Sequence, residues 1–155
     1  MFHASEVFEF AQAIEANGRD FYQAMATSAR QPEIQQLFAR LAREEEQHIL
    51  DFTQLAQRAT PYDPPESYPG EYEEYMQALV DNSVFPRDLD VKALVREITT
   101  DKEALDLAIR FEKDGLLFFS GLKNLVSTVE THLLDDLLRQ ERRHLCELHS
   151  ALQGV

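Results

Sequence analysis

The chain carries one pattern of residues twice, with the two copies 96 or 97 positions apart. Residues 14–22 align with residues 111–119 and share a Glu, a Gly and a Phe. Residues 41–49 align with residues 137–145 and share a Leu, an Arg, a Glu and a His. Because both blocks recur in the same order, we interpret the repeat as an internal duplication of one helical hairpin.

Apolar residues in the first half recur at steps of three and four, which is the periodicity of helices that bury one face. This pattern runs over residues 7–25 and resumes after Pro32, a residue that suits the first turn of a helix. The second helix carries apolar residues as far as Leu55 and must end before Pro61. The first half is therefore predicted to be a helical hairpin.

The second half repeats this plan and adds signals for where its helices begin. Thr100 with Glu103, and Ser127 with Glu130, have the spacing of capping boxes, in which the two side chains bond to the free backbone N–H groups of a helix start. We therefore predict a third helix after Thr100 and a fourth after Ser127.

The two halves are joined by a long connection over residues 60–100. Five of the six prolines lie there, namely Pro61, Pro64, Pro65, Pro69 and Pro86. The connection contains two candidate short helices, residues 71–80 and 90–98, and four tyrosines that predict a packed crossover or a dimer contact: Tyr62, Tyr68, Tyr72 and Tyr75. We predict a single all-α domain over residues 1–155, a four-helix bundle of two duplicated hairpins with a long crossover.

Charge and apolar content exclude several classes of protein. The formal net charge is −13, whereas nucleic acids and anionic membranes favour basic surfaces. The longest nearly apolar run, residues 115–122, is too short to span a bilayer, and the first residues lack a signal-peptide pattern. Cys146 is the only cysteine and cannot form an internal disulfide. We expect a cytoplasmic protein that binds neither nucleic acid nor membrane, with Cys146 as a packing residue.

Each half also supplies one Glu on its first helix and a Glu-x-x-His on its second. These residues are Glu15, Glu45 and His48, followed by Glu112, Glu141 and His144. A spacing of three puts the Glu and the His of each pair on one helix face. In both hairpins the lone Glu and the Glu-x-x-His are equally far from the turn, roughly 23 Å at about 1.5 Å per residue. Four packed helices could therefore bring all six side chains together.

Such a cluster needs partners, because four carboxylates and two imidazoles are costly to bury alone. Two divalent ions would match the charge of four ionised glutamates with neutral histidines. Carboxylate oxygens and imidazole nitrogens suit iron, manganese or zinc, and the absence of thiolates argues against copper(I) or iron–sulfur clusters. We predict a two-metal site with positions open to oxygen or peroxide.

Several residues near this cluster allow more than one interpretation. Glu44 and Gln140 each lie four residues before a His, where they could bond to the opposite His or lie on the surface. Tyr22, two turns after the first Glu, could bond to a ligand carboxylate, act as a redox-active phenol or fill the core. Gly18 and Gly115 could allow close helix packing or leave room for an exogenous ligand.

Through the series Glu15…Glu45-x-x-His48…Glu112…Glu141-x-x-His144, the sequence resembles the rubrerythrin-like branch of the ferritin-like superfamily over nearly the whole chain. The resemblance implies a ferritin-like bundle, often dimeric, with a di-iron centre that reduces peroxide or reacts with oxygen. It also implies roles for the six residues: bridging ligands Glu45 and Glu141, terminal carboxylates Glu15 and Glu112, and imidazole ligands His48 and His144.

Two departures from the family pattern affect the expected function. Rubrerythrins usually append a rubredoxin domain with two Cys-x-x-Cys pairs. With one cysteine, this chain would need a separate electron donor, or its turnover would be limited to what the substrate supplies. Many also carry a Glu at the position of Gly115, which suggests a more symmetric, ferroxidase-type centre here. We expect a homodimeric oxidoreductase in which two irons react with oxygen or hydrogen peroxide. The alternatives are a bundle that binds or carries Fe, Zn or Mn without turnover, and a purely structural dimerising bundle.

Overall fold

The computed structural model describes residues 4–58, 66–86, 88–126 and 128–155, and the regular elements in these ranges are all helical. They are α1 (Ala4–Ser28), α2 (Pro32–Arg58), α3 (Glu71–Asp81), α4 (Val91–Glu97), α5 (Asp101–Leu122), a 3₁₀ turn (Lys123–Leu125) and α6 (Thr128–Leu152). This confirms the predicted all-α class and the two short helices of the crossover.

The four long helices form a bundle of two hairpins, in which α1 packs along α2 and α5 packs along α6. Their facing sides bury a continuous apolar core rich in phenylalanine, in which Phe21, Phe38, Phe52 and Phe119 are all 0–1 % exposed. Burial of such rings removes large apolar areas from water and is the main source of stability in a bundle of this size. The predicted four-helix bundle is thus observed.

The start of α5 connects the two hairpins. Thr100 and Glu103 form the predicted capping box, with the Glu103 N–H donating to Thr100 Oγ1 at 3.1 Å and the Thr100 N–H donating to Glu103 Oε2 at 3.1 Å. The adjacent Asp101 is buried and accepts the backbone N–H groups of Arg30 and Gln31 at 2.7 and 2.8 Å. Asp101 therefore fixes the turn between α1 and α2 to α5. The second predicted capping box includes residue 127 and lies outside the described residues.

The crossover packs against the bundle, as one of the two interpretations of its tyrosines predicts. The Tyr72 hydroxyl bonds to the Gly121 carbonyl of α5. Phe85 is 2 % exposed, and its ring centroid lies 5.1 Å from that of Phe21 and 4.7 Å from that of Phe111. Tyr68 is exposed, and Tyr62 lies outside the described residues.

The expectation that Cys146 is a packing residue is wrong. Cys146 is exposed rather than packed in the core, because its position on α6 faces away from the apolar stripe that carries Leu148. In the part of the chain that the structure describes, no helix is long and apolar enough to cross a membrane.

Gly18 is explained by close helix packing. A Cβ placed on Gly18 would lie 2.4 Å from Cζ of Phe111. The Phe111 ring has little room to move, since it packs on Phe85 and lies 6.0 Å from the Tyr22 ring.

We expect Gly18→Ala to destabilise the protein. Overpacking in a rigid core costs about 1–3 kcal/mol, which exceeds the gain of about 1 kcal/mol from better helix propensity. Gly115→Ala is the matched control, because its Cβ would meet only the ring of Phe119, whose nearest atom, Cε2, lies at 3.3 Å. Denaturant unfolding should give a lower free energy of unfolding for Gly18→Ala than for Gly115→Ala. Equal values would contradict the packing explanation.

Candidate metal centre

The structure brings the six predicted side chains together in the middle of the bundle. One comes from α1, two from α2, one from α5 and two from α6, and each is 0–2 % exposed: Glu15, Glu45, His48, Glu112, Glu141 and His144. They meet because every one of them lies on the helix face that also carries the apolar core residues. The sequence prediction that all six lie at one height is therefore confirmed as geometry.

The six residues form two overlapping groups, in each of which one ligand-type atom per residue lies within 4.8 Å of the others. The first group, which we call the His48 position, contains Glu15, Glu45, His48 and Glu141. The second, the His144 position, contains Glu45, Glu112, Glu141 and His144. Glu45 and Glu141 belong to both groups, as expected of side chains that bridge two ions.

Both imidazoles turn Nδ1 toward the carboxylates. His48 Nδ1 lies 2.7 Å from Glu141 Oε1 and 3.2 Å from Glu45 Oε2. His144 Nδ1 lies 3.4 Å from Glu45 Oε1 and 3.6 Å from Glu112 Oε1. The two rings stack with centroids 5.5 Å apart. Nδ1 is thus the nitrogen that each ring offers to a metal.

The opposite ring nitrogens contact the two residues that precede the shared glutamates. His48 Nε2 lies 3.3 Å from Gln140 Oε1, and His144 Nε2 lies 2.7 Å from Glu44 Oε2. An Nε2–H that donates to these oxygens leaves the Nδ1 lone pair free for a metal. Glu44 and Gln140 therefore each contact the opposite His, which is one of the two interpretations that the sequence allowed.

Tyr22 also contacts the cluster. Its hydroxyl donates to Glu112 Oε1 at 2.5 Å, between α1 and α5, and the side chain is fully buried. Burial raises the pKa of Tyr22 well above its usual value, so the phenol stays protonated as a donor. Of the interpretations that the sequence allowed, the structure shows a bond from Tyr22 to a carboxylate of the cluster.

Sequence reasoning did not identify Arg143 and Arg40, which hold Glu44 in place. Arg143 Nη2 lies 2.5 Å and Arg40 Nη1 lies 3.2 Å from the Glu44 carboxylate. The spacing of four between Arg40 and Glu44 is a recognisable signal for a helix ion pair. The contact from Arg143, on another helix, leaves no such signal in the sequence.

The carboxylates strongly favour the charged form of the two imidazoles. Burial opposes the charge on His48, but hydrogen bonding, first to Glu141, outweighs burial and raises the pKa of His48 far above its usual range. Burial acts in the same way on His144, yet hydrogen bonds to Glu112 and Glu45 raise its pKa to about 12. Without metal, the charged form of both imidazoles is therefore favoured.

The carboxylates divide into two kinds. Burial raises the pKa of Glu15 well above its usual value, and the charge of Glu45 raises it further. Burial also raises the pKa of Glu112, as does the charge of Glu141. Burial acts on Glu45 too, but hydrogen bonds to Glu15 and to both imidazoles outweigh it and lower its pKa below the usual range. The protonated form is therefore favoured at the two outer glutamates, while the shared Glu45 is ionised.

Buried polar atoms that make no hydrogen bond indicate whether metal ions would fit this cluster. Six atoms of the cluster make no hydrogen bond of good geometry to a described residue, although charged groups lie close to several of them: Glu15 Oε1 and Oε2, Glu45 Oε1, Glu112 Oε2, Glu141 Oε1 and His144 Nδ1. Buried polar atoms are normally paired, because an unmet one costs about 1–3 kcal/mol. All six are metal-ligand atoms within the two groups, so the residues fit two ions that would satisfy them.

Two glutamates and two Glu-x-x-His pairs that project into a four-helix bundle are the arrangement found in ferritin-like di-metal proteins. A model of the rubrerythrin family matches residues 6–152, and the chain belongs to that family. A solved structure from Thermotoga maritima, described as a ferritin-like diiron-carboxylate protein, is 23% identical with a TM-score of 0.73. The similarity covers 98% of this chain and 95% of that one, and shows that the fold is shared. A search of curated proteins found no significant match.

Proposed function

We propose that the protein is a di-iron oxidoreductase that uses Fe(II) to reduce oxygen or hydrogen peroxide. The observation that carries this proposal is the pair of overlapping four-residue groups that share Glu45 and Glu141. Family membership and the di-iron description of the similar Thermotoga maritima structure support iron as the metal.

The donor set agrees with this choice. Carboxylate oxygens and imidazole nitrogens suit iron at the divalent and trivalent levels, and two divalent ions match the charge of four ionised glutamates. When bound, two Fe(II) ions would supply the two electrons that, with two protons, convert hydrogen peroxide to two water molecules. The six side chains would be the metal ligands: Glu15, Glu45, His48, Glu112, Glu141 and His144.

The residues around the six ligands would orient them and keep water away from the proposed reaction with oxygen or peroxide. Glu44 and Gln140 accept from the Nε2 side of the imidazoles and so keep Nδ1 directed inward. Tyr22 fixes the orientation of Glu112 and holds a proton at its hydroxyl next to the cluster. The phenylalanine core around the site excludes bulk water, which strengthens each electrostatic contact there.

Repeated turnover would need electrons from outside this chain. Residues 1–155 contain one cysteine and so cannot themselves form a thiolate iron site of the rubredoxin type, and we propose that a separate electron-donor protein supplies the electrons. The homodimer and the cytoplasmic location remain predictions.

Aerobic loading of metal-free protein with Fe(II) tests the proposed function. We expect about two irons per chain, consumption of oxygen or added peroxide, and growth of near-ultraviolet ferric absorption. Protein filled beforehand with Zn(II), which is redox-inert, should consume neither oxidant above the blank. Failure to bind iron at the predicted stoichiometry would overturn the proposal.

A second candidate is a bundle that holds or carries metal without turnover. Complete burial of all six side chains favours it, since such a site can retain ions while admitting little else. It predicts tight binding of two ions with no consumption of oxidant beyond that of free Fe(II). The same loading experiment therefore separates the two functions.

A further inference from the structure

The two metal positions differ in what supports their imidazoles. His144 Nε2 faces the carboxylate of Glu44 at 2.7 Å, whereas His48 Nε2 faces the amide oxygen of Gln140 at 3.3 Å. Glu44 and Gln140 are equivalent in the internal repeat, 96 residues apart. A carboxylate that accepts from an imidazole N–H makes the other nitrogen a stronger donor to metal than an amide does.

The carboxylate of Glu44 is also held in place. Arg143 and Arg40 contact it at 2.5 and 3.2 Å, and Arg40 reaches Glu147 at 2.7 Å as well. This network leaves Glu44 only 23 % exposed. The contact to His144 is therefore fixed before any metal arrives and costs little ordering on binding.

A second difference affects the outer glutamates. Glu112 receives the Tyr22 hydroxyl on Oε1, while its Oε2 has no hydrogen-bond partner among the described residues. For Glu15, neither carboxylate oxygen makes a hydrogen bond of good geometry, and Oε2 lies 3.5 Å from His48 Nδ1. The repeat explains this contrast, because the equivalent of Tyr22 is Phe119, which lacks a hydroxyl.

We infer that the His144 position binds metal first and more tightly, and that the His48 position is the exchangeable one. This inference rests on the metal-binding part of the proposed function and adds an order of loading to it. Residues beyond the ligands, in particular Glu44, set this order as positioning residues. Outer partners of this kind typically change metal affinity about 10–100-fold, so a difference of that size between the two positions is expected.

The experiment is an anaerobic titration of metal-free protein with Co(II), followed by calorimetry and by visible absorption of the bound ion. Wild-type protein should show two binding steps about 10–100-fold apart. His48→Ala should retain the tighter step, and His144→Ala should retain only the weaker one. Two equal steps, or the opposite assignment, would overturn the inference.

Substitutions of nearly equal size then test whether the residue that faces each Nε2 sets the difference in metal affinity. Glu44→Gln should weaken the tighter step about 10–100-fold and Gln140→Glu should strengthen the weaker one, bringing the two steps together in both cases. Glu147→Gln is the matched control, because it removes one negative charge from the same network through Arg40 but touches neither imidazole in the described contacts. An equal effect of Glu147→Gln would show that charge alone, not the contact to His144, is responsible. Absence of any Co(II) or Fe(II) binding by wild-type protein would instead refute the proposed function.

Discussion

Glu45→Ala is expected to weaken metal binding at both positions, whereas Glu15→Ala should weaken it at only one. Glu45 belongs to both groups of ligand atoms, while Glu15 belongs only to the His48 position. Loss of an outer partner alone costs about 10–100-fold in affinity, so loss of a direct ligand should cost more than about 100-fold. Because the two variants remove the same buried chemical group, they form a matched pair.

Metal analysis after equilibrium dialysis against a few equivalents of Zn(II) would check this expectation. Wild-type protein should hold two ions, Glu15→Ala one, and Glu45→Ala close to none. Thermal unfolding gives an independent measurement, since a ligand at 100 times its dissociation constant stabilises the native state by about 2.7 kcal/mol. A Glu45→Ala protein that folds and retains one tightly bound ion would show that Glu45 does not bridge.

The helices and the six-residue cluster were predictable because both depend on spacing along the chain. A step of three residues fixes two side chains on one helix face, and the repeat places each Glu at the height of its Glu-x-x-His. The capping pair of Thr100 and Glu103 is similarly local. In each case the physical determinant lies within one helix or one hairpin, where the geometry is nearly invariant.

Contacts between distant segments could not be predicted in this way. Phe85 packs against Phe21 and Phe111 because the crossover folds over α1 and α5, and Asn17 Nδ2 donates to the Pro86 carbonyl at 2.8 Å. These pairings depend on the path of a connection whose sequence is typical of turns. The sequence likewise left Gly18 with two explanations until the position of the Phe111 ring decided between them.

The asymmetry of the site could not be predicted from the sequence and became visible only in the structure. The sequence shows that Glu44 and Gln140 differ, but not that each contacts the opposite imidazole. That contact depends on the rotation of each ring and on the packing of α2 against α6, which place Nδ1 inward and Nε2 outward. A duplicated hairpin thus yields two similar metal positions, while single substitutions such as Tyr22 in place of a Phe make them unequal.

Metal binding is expected to release protons and to become tighter as the pH rises. In the metal-free cluster, the raised pKa values of His48, His144, Glu15 and Glu112 favour up to four bound protons, whose total charge equals that of two divalent ions. Metal must displace them, so binding should release up to four protons per chain and become tighter as the pH rises. A pH-indicator dye in weakly buffered solution would measure this release directly.

The stability of the metal-free protein should fall between about pH 6 and about pH 8. A raised folded pKa contributes stability that is complete below the unfolded value, about 6.5 for His, and is lost as the pH rises toward the folded value, about 12 for His144. Glu15 and Glu112 act in the same direction, since their unfolded forms have already lost the proton above about pH 4.3. Glu45 has a lowered pKa and acts in the opposite direction, but only below its unfolded value.

Urea unfolding with a chelator, and again with excess Zn(II), would test this expectation. Each retained proton changes the free energy of unfolding by about 1.4 kcal/mol per pH unit, so the downward slope of the metal-free protein should be steep. The Zn(II)-loaded protein should show no downward slope, because metal has replaced those protons. His149→Ala, which removes an exposed imidazole, should leave both slopes unchanged. A metal-free protein whose stability rises over this range would show that the protons are not held in the cluster.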